Sequence, residues 1–171
     1  MSDIKNLPNG WIEYKGLMLV QDRQEFEWLC GEIRKVSPKV VVEIGMERGG
    51  TMTMWKDIAG EGALCIGIDI NLNHLQTKFD GGVVLVEGSS YDPLTVEKVK
   101  SILNGRPIDF LFIDGDHSEE GVTQDYNLYG AMVRPGGIVG FHDIRTNDFW
   151  FKNRDNKKDY ISRIGTGIIY K

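Results

Sequence analysis

The residues able to do chemistry fall in short clusters: Glu43-x-Gly45-x-x-x-Gly49-Gly50, Asp69, Gly88-Ser89-Ser90, Asp114-Gly115-Asp116-His117 and His142-Asp143. Carboxylates and imidazoles in such a set can move a proton, hold a divalent metal or accept from sugar hydroxyls. Glycines placed directly after an apolar run let the backbone turn sharply and let a ligand come close. The helix that follows such a turn aims free N–H groups at whatever sits above it. The stretch VVVEIGMERGGT, Val40 to Thr51, is therefore a nucleotide-like binding corner.

Spacing narrows the ligand. Dinucleotide folds use G-x-G-x-x-G, with the pyrophosphate on the helix N-terminus. Here Glu47 stands where the second dinucleotide glycine would be, and an acid there repels a pyrophosphate. The order E-x-G-x-x-x-G instead resembles motif I of the class I S-adenosylmethionine-dependent methyltransferases, whose ligand has no phosphate. A tight βα turn with purely structural glycines would use the same residues.

These clusters need elements to position them. Val40-Val41-Val42 has no alternation and reads as a strand buried on both faces, as in a parallel sheet covered by helices. A helix precedes it, opened by Asp22 with Glu25 in near capping-box spacing and closed by Ser37-Pro38; Phe26, Leu29, Ile33 and Val36 form its core face. A short helix runs from Thr51 to about Ala59. The second strand, Ala63 to Ile70, carries Asp69 at its end, placed to accept from both hydroxyls of a ribose or to serve as a turn residue. His74 follows as a surface residue. Val83 to Val86 is the third strand. Asp92-Pro93 opens a helix whose buried side is Leu94, Val96, Val99, Ile102 and Leu103, closed by Asn104-Gly105.

Ile108 to Asp114 is the fourth strand. Ser118 caps the next helix, with Val122, Tyr126 and Tyr129 inward. Arg134 to Gly137 turns into the fifth strand, Ile138 to Phe141. Residues 1 to 20 read as a loop-like N-terminal arm, and Asn147 to Lys158 as an exposed, charged tail. Tyr160 to Ile164 and Gly167 to Tyr170 make a closing strand pair. Alternating strands and helices imply a mostly parallel sheet with right-handed crossovers, and ligands in such sheets bind beyond the strand C-termini. Gly45, Asp69, Ser89, Asp114, His117 and His142 all follow strand C-termini.

Composition sets the frame. A chain of 171 residues, 41% hydrophobic, suits a single domain with a substantial core. Its net charge of −5 argues against a nucleic-acid partner. No stretch is apolar enough to span a membrane, and the N-terminus has no signal-peptide core. Cys30 and Cys65 fall in a helix and a strand, as buried thiols in a reducing, cytoplasmic setting.

With IDGDHSEEGVTQDYNLYGAMVRPGGIVGFHDI added to motif I and Asp69, the chain from Gln21 to Lys171 resembles a group of small class I methyltransferases. The group is related to cephalosporin hydroxylase and to rhamnosyl and macrolide-sugar O-methyltransferases. The resemblance implies a three-layer, Rossmann-like α/β fold with a seven-stranded sheet, order 3-2-1-4-5-7-6, last strand antiparallel. It implies S-adenosylmethionine as cofactor: Glu43, Gly45 and Gly49 at its methionine end, Asp69 on the ribose, Ser89 and Ser90 beside the adenine, and Asp114 nearby. It also implies a divalent metal such as magnesium or manganese at Asp114, His142 and Asp143, with Asp114 catalytic. Position 142 is often an acid in the metal-dependent relatives, and here it is histidine. A histidine ligand shifts preference from magnesium toward manganese, iron or zinc.

The implied reaction is in-line attack of a small-molecule hydroxyl on a sulfonium methyl. His117 is the candidate general base, with a helix-capping role as its alternative; a metal-activated hydroxyl is the other route. Little chain remains after Asp143 to cap a substrate, so a second copy of the chain could supply surface. Other readings of the same residues are a metal-dependent hydrolase using Asp114, Asp116, His117, His142 and Asp143, an NAD-linked oxidoreductase, and a nucleoside-binding domain without catalysis. With only three histidines, one of them superficial, a dinuclear hydrolase site would be poorly supplied.

Overall fold

The computed structural model describes residues 3–79 and 81–171. Residues 1 and 2 of the expected arm lie outside the described residues. The rest of that arm is not a loop. It forms three short antiparallel strands, β1 (Ile4–Asn6), β2 (Ile12–Tyr14) and β3 (Leu17–Leu19). Lys15 and Gly16 have φ of 50° and 79°, the paired positive angles of a two-residue hairpin turn. Ile12, Tyr14, Leu17 and Leu19 alternate inward, and the Tyr14 hydroxyl donates to Asp57 at 2.7 Å.

Helix α1 (Arg23–Val36) follows, with the Asp22 carboxylate accepting from the N–H groups of Gln24 and Glu25. The chain then alternates through β4 (Val40–Ile44), α2 (Gly50–Ala59), β5 (Leu64–Asp69), β6 (Val83–Glu87), α3 (Pro93–Leu103), β7 (Ile108–Ile113), α4 (Glu119–Tyr129) and β8 (Val133–Phe141). It ends with α5 (Phe149–Lys152), β9 (Lys157–Tyr160) and β10 (Thr166–Tyr170). The second sheet has seven strands in the order β6-β5-β4-β7-β8-β10-β9, and β10 runs antiparallel to β8 and β9. Numbered within the sheet this is 3-2-1-4-5-7-6, the expected topology.

Burial explains why β4 lies at the centre. Val40, Val42 and Ile44 pack with Val96 and Val99 of α3 and with Val122 and Tyr129 of α4. Val41 packs on the other face with Phe26 and Leu29 of α1 and Met52 and Trp55 of α2. Trp55 anchors that face, with ring centroids 5.3 Å from Phe26, 5.2 Å from Phe110 and 5.3 Å from Phe112. At the opposite end of the sheet Asp109 accepts from the N–H groups of Lys39 and Val40 at 2.7 and 2.8 Å, which fixes where β4 begins. Cys30 and Cys65 are free and buried. Among the described residues no helix is long and apolar enough to cross a membrane.

The last part of the chain departs from the sequence expectation. Asn147 to Lys158 is not wholly an exposed tail: Phe149 and Trp150 in α5 are buried, and Trp150 Nε1 donates to Asp159 at 2.9 Å. The penultimate strand begins at Lys157, not Tyr160. Ser162 to Gly165 is instead a turn whose N–H groups converge on Glu25 of α1: Ser162 at 2.9 Å, Arg163 at 2.6 Å and Gly165 at 3.1 Å. Glu25 is 2% exposed, and its role is to hold this turn. Leu94, expected inside, is 80% exposed, because the buried side of α3 is Thr95, Val96, Val99 and Leu103.

Candidate active site

Strands β4 to β8 are parallel, so their C-terminal ends open on one edge of the sheet. Two clefts lie there. The first, about 370 Å³, is lined by Gly45, Ile68, Asp69, Ile70, Ser89 and Ser90, among others. The second, about 250 Å³, is lined by Met18, Gln21, Arg48, His117, His142 and Asp143, among others. Gly45, Glu47, Asp114 and Gly115 line both and form the partition between them.

The turn after β4 is built for close approach. Gly45 has φ +85°, and a β-carbon there would lie 2.2 Å from the Asp114 carbonyl oxygen. Gly49 has φ +83° and caps α2, with the 75–79 segment against it. Asp69 Oδ2 accepts from the N–H groups of Met46 at 2.8 Å and Glu47 at 3.3 Å, and Oδ1 accepts from Asn71 N at 3.0 Å. Asp69 thus secures the turn while lining the first cleft. Ser89 and Ser90 lie in the same wall, and the Ser90 carbonyl accepts from the Tyr129 hydroxyl at 2.6 Å. Asp116 faces this cleft too; its Oδ1 accepts from Ser118 N at 2.9 Å, and hydrogen bonds from Ser118 lower its carboxyl below the ordinary range.

Glu43 stands apart from the others. It is 0% exposed and lines neither cleft. One carboxyl oxygen accepts from Trp55 Nε1 at 3.3 Å, and the other has no hydrogen-bond partner among the described residues. Burial pushes its carboxyl well above the usual carboxylate range, which favours the protonated form.

In the second cleft the hub is Asp114. Its Oδ1 lies 2.8 Å from His142 Nδ1 and 3.1 Å from His117 Nε2, and its Oδ2 accepts from Gln21 Nε2 at 2.9 Å. Each imidazole turns its other nitrogen to Asp143: His117 Nδ1 at 3.1 Å and His142 Nε2 at 3.3 Å. Burial alone would raise the Asp114 carboxyl; the two imidazoles outweigh it and hold the group below its ordinary value. The hydrogen bond to Asp114, then that to Asp143, pushes His117 up to about 10. That pairing favours the protonated form of His117. Asn147 Nδ2 donates to the His117 carbonyl at 2.8 Å and steadies the loop.

Asp114, His117 and His142 each offer a donor atom within 4.8 Å of the other two, a grouping able to hold a metal ion. This differs from the expected Asp114, His142 and Asp143: Asp143 faces the far nitrogens of the two rings. The structure therefore gathers Gly45, Asp69, Ser89, Ser90, Asp114, His117, His142 and Asp143 on one edge, keeps Glu43 beneath it, and places His74 exposed outside it. Gln21, 2% exposed, is the contributor that sequence reasoning missed. A lone glutamine between a hairpin and a helix cap carries no local signal, and only tertiary folding brings it to Asp114.

The chain resembles known proteins in sequence and in fold. Residues 42–144 match the family model described as a methyltransferase domain. A protein of Acanthamoeba polyphaga mimivirus is 37% identical over 114 residues, covering 61% of this chain and 51% of that protein. The rhamnosyl O-methyltransferase of Mycobacterium tuberculosis is 25% identical over 134 residues, covering 75% of this chain and 54% of its own. The chain thus spans about half the length of these curated relatives. The solved MycE methyltransferase of the mycinamycin biosynthetic pathway, in complex with Mg, SAH and mycinamycin VI, matches with TM-score 0.63 at 18% identity, over 84% of this chain and 48% of that one. At that identity the likeness speaks for the fold. The family match spans every strand end that opens on the clefts, from β4 to the loop after β8, and the chain belongs to the methyltransferase-domain family.

Proposed function

We propose that the chain transfers a methyl group from S-adenosylmethionine to a hydroxyl of a small molecule. The observation that carries this reading is the pair of clefts meeting at Gly45, Glu47, Asp114 and Gly115. One cleft suits a nucleoside: apolar Ile68 and Ile70, a carboxylate at Asp69 and hydroxyls at Ser89 and Ser90. Glu47 at the turn disfavours a pyrophosphate and tolerates a sulfonium. Bound there, S-adenosylmethionine supplies an electrophilic methyl group.

The chain's part is chiefly positioning. The Gly45 turn and the Asp114 loop are in direct backbone contact, so the floor under both ligands is one rigid unit. Holding two reactants in line is worth up to about 7–11 kcal/mol of barrier. Asp114 and the imidazoles beside it also offer donor atoms for a divalent ion; such an ion would lower the pKa of an acceptor hydroxyl and orient it. Met18 and Gln21 from the N-terminal segment wall the acceptor side.

Calorimetric titration with S-adenosylmethionine, S-adenosylhomocysteine and NAD tests the reading. The first two bind and raise the melting temperature, and NAD does neither. Tight NAD binding without S-adenosylmethionine binding would end the proposal.

A further inference from the structure

The geometry points to a first-row transition-metal dication, of the iron, cobalt, nickel or zinc kind and not magnesium, held by Asp114, His117 and His142, with Asp143 gripping both imidazoles from their far sides. This makes His117 a ligand instead of a base, and Asp143 a positioning residue instead of a ligand.

Three observations carry it. First, Asp114 Oδ1, His117 Nε2 and His142 Nδ1 converge, with the oxygen 3.1 and 2.8 Å from the two nitrogens. Metal–nitrogen bonds of about 2.1 Å at near right angles set neighbouring ligand atoms roughly 3 Å apart. Second, both rings present their remaining nitrogen to one carboxylate, Asp143, at 3.1 and 3.3 Å. A carboxylate behind a metal-bound histidine fixes the tautomer, so that the ligating nitrogen carries the lone pair. Asp143 Oδ1 is buried without a hydrogen-bond partner among the described residues, and a His142 Nε2–H turned toward it would satisfy it. Third, Gln21 occupies Asp114 Oδ2, which leaves Oδ1 for the ion.

The donor set then selects the metal. Magnesium demands oxygen ligands in octahedral array, whereas two imidazoles and one carboxylate suit later first-row ions with open positions. Asp114 is the one anionic ligand, so the dication keeps positive charge toward the second cleft, as a Lewis acid requires, while the Asp143 carboxylate balances it from behind the rings. The inference rests on the methyltransferase reading only for what that cleft holds; the cluster stands without it.

The test uses the full chain stripped of metal, with no cofactor and no turnover. Cobalt(II), zinc(II) and magnesium are titrated by calorimetry, and cobalt also by its visible absorption. Cobalt and zinc are expected to bind one equivalent at least 100-fold more tightly than magnesium. His117→Ala and His142→Ala each lose the cobalt bands. Asp143→Asn keeps them but binds about 10–100-fold more weakly. Circular dichroism checks each variant, and His117→Gln replaces His117→Ala should the latter not fold. Magnesium binding as tightly as cobalt overturns the inference. So does an unchanged cobalt spectrum in the folded His117 variant, which would restore Asp143 as the third ligand. Titrating S-adenosylmethionine into the same preparation separates the two proposals: no binding there, with cobalt bound as expected, sinks the methyltransferase reading alone.

Discussion

The backbone of Gly45 lies so close to Asp114 that a single added carbon would sit 2.2 Å from the Asp114 carbonyl oxygen. The first cleft's floor and the second cleft's hub are thereby one piece of backbone. At φ +85° Gly45→Ala meets both torsional strain and an unyielding carbonyl. The substitution should cost about 3 kcal/mol or more in urea denaturation, by the sum of those effects. It should also weaken S-adenosylmethionine binding, because the Asp114 loop must move. Wild-type stability in this variant would show that the contact is slack.

Asp69 joins two duties that substitution can separate. Its carboxylate secures the N–H groups of Met46 and Glu47 and faces the first cleft. Asp69→Ala should lose about 1.5–3 kcal/mol of stability, the scale of hydrogen bonds to a charged group. Its affinity for S-adenosylmethionine, measured by calorimetry, should fall at least tenfold. Full affinity in a destabilised variant would leave Asp69 as a turn residue only.

Asp125 on α4 gives stability a pH dependence. It is 0% exposed, and burial pushes its carboxyl up to about 6. In the unfolded chain it titrates near 3.9. The folded state therefore holds the proton more tightly, and this group's contribution to stability is fully present below about pH 4 and is lost as pH rises through 6. The full loss is on the order of 2–3 kcal/mol. Asp125→Asn should remove this slope, gaining on the wild type by that amount between pH 4 and pH 7.5. Parallel stability curves for the two proteins would refute the assignment.

Glu25 ties α1 to the turn at Ser162 to Gly165 through three backbone N–H groups. Glu25→Ala leaves those donors without their acceptor and should cost about 3 kcal/mol. Glu25→Gln keeps one acceptor oxygen and should recover part of it. Hydrogen exchange at Ser162, Arg163 and Gly165 reports the effect directly. Unchanged protection there would mean that the turn is held by other contacts.

How much the sequence disclosed depended on whether the signal was local. Val40 to Val42, the Gly45 turn, Asp92-Pro93 and Ser118 announce a strand, a bend and two caps through a few consecutive residues, and each sits where the pattern places it. The strand-end positions of Asp69, Asp114 and His142 followed from the βα alternation. What escaped was non-local. The Lys15-Gly16 hairpin joins strands of three residues each, too short for period-two alternation to stand out. Phe149-Trp150 is buried although charges surround it, because Phe141 of β8 lies against both rings, with centroids 5.4 and 5.8 Å away. Glu25 sits at a position where local capping chemistry gave a sufficient reason for an acid, so its reach to the C-terminal turn was masked. That both rings turn their far nitrogens to Asp143 is a matter of ring orientation, which spacing along the chain does not encode.

The wall shared by the two clefts has a thermodynamic consequence. A guest on one side stiffens the partition against which a guest on the other side must lean. The linkage is reciprocal, so whatever preference the first arrival creates for the second, the second returns in equal measure. Occupancy of either cleft should therefore change the affinity of the other by one and the same factor.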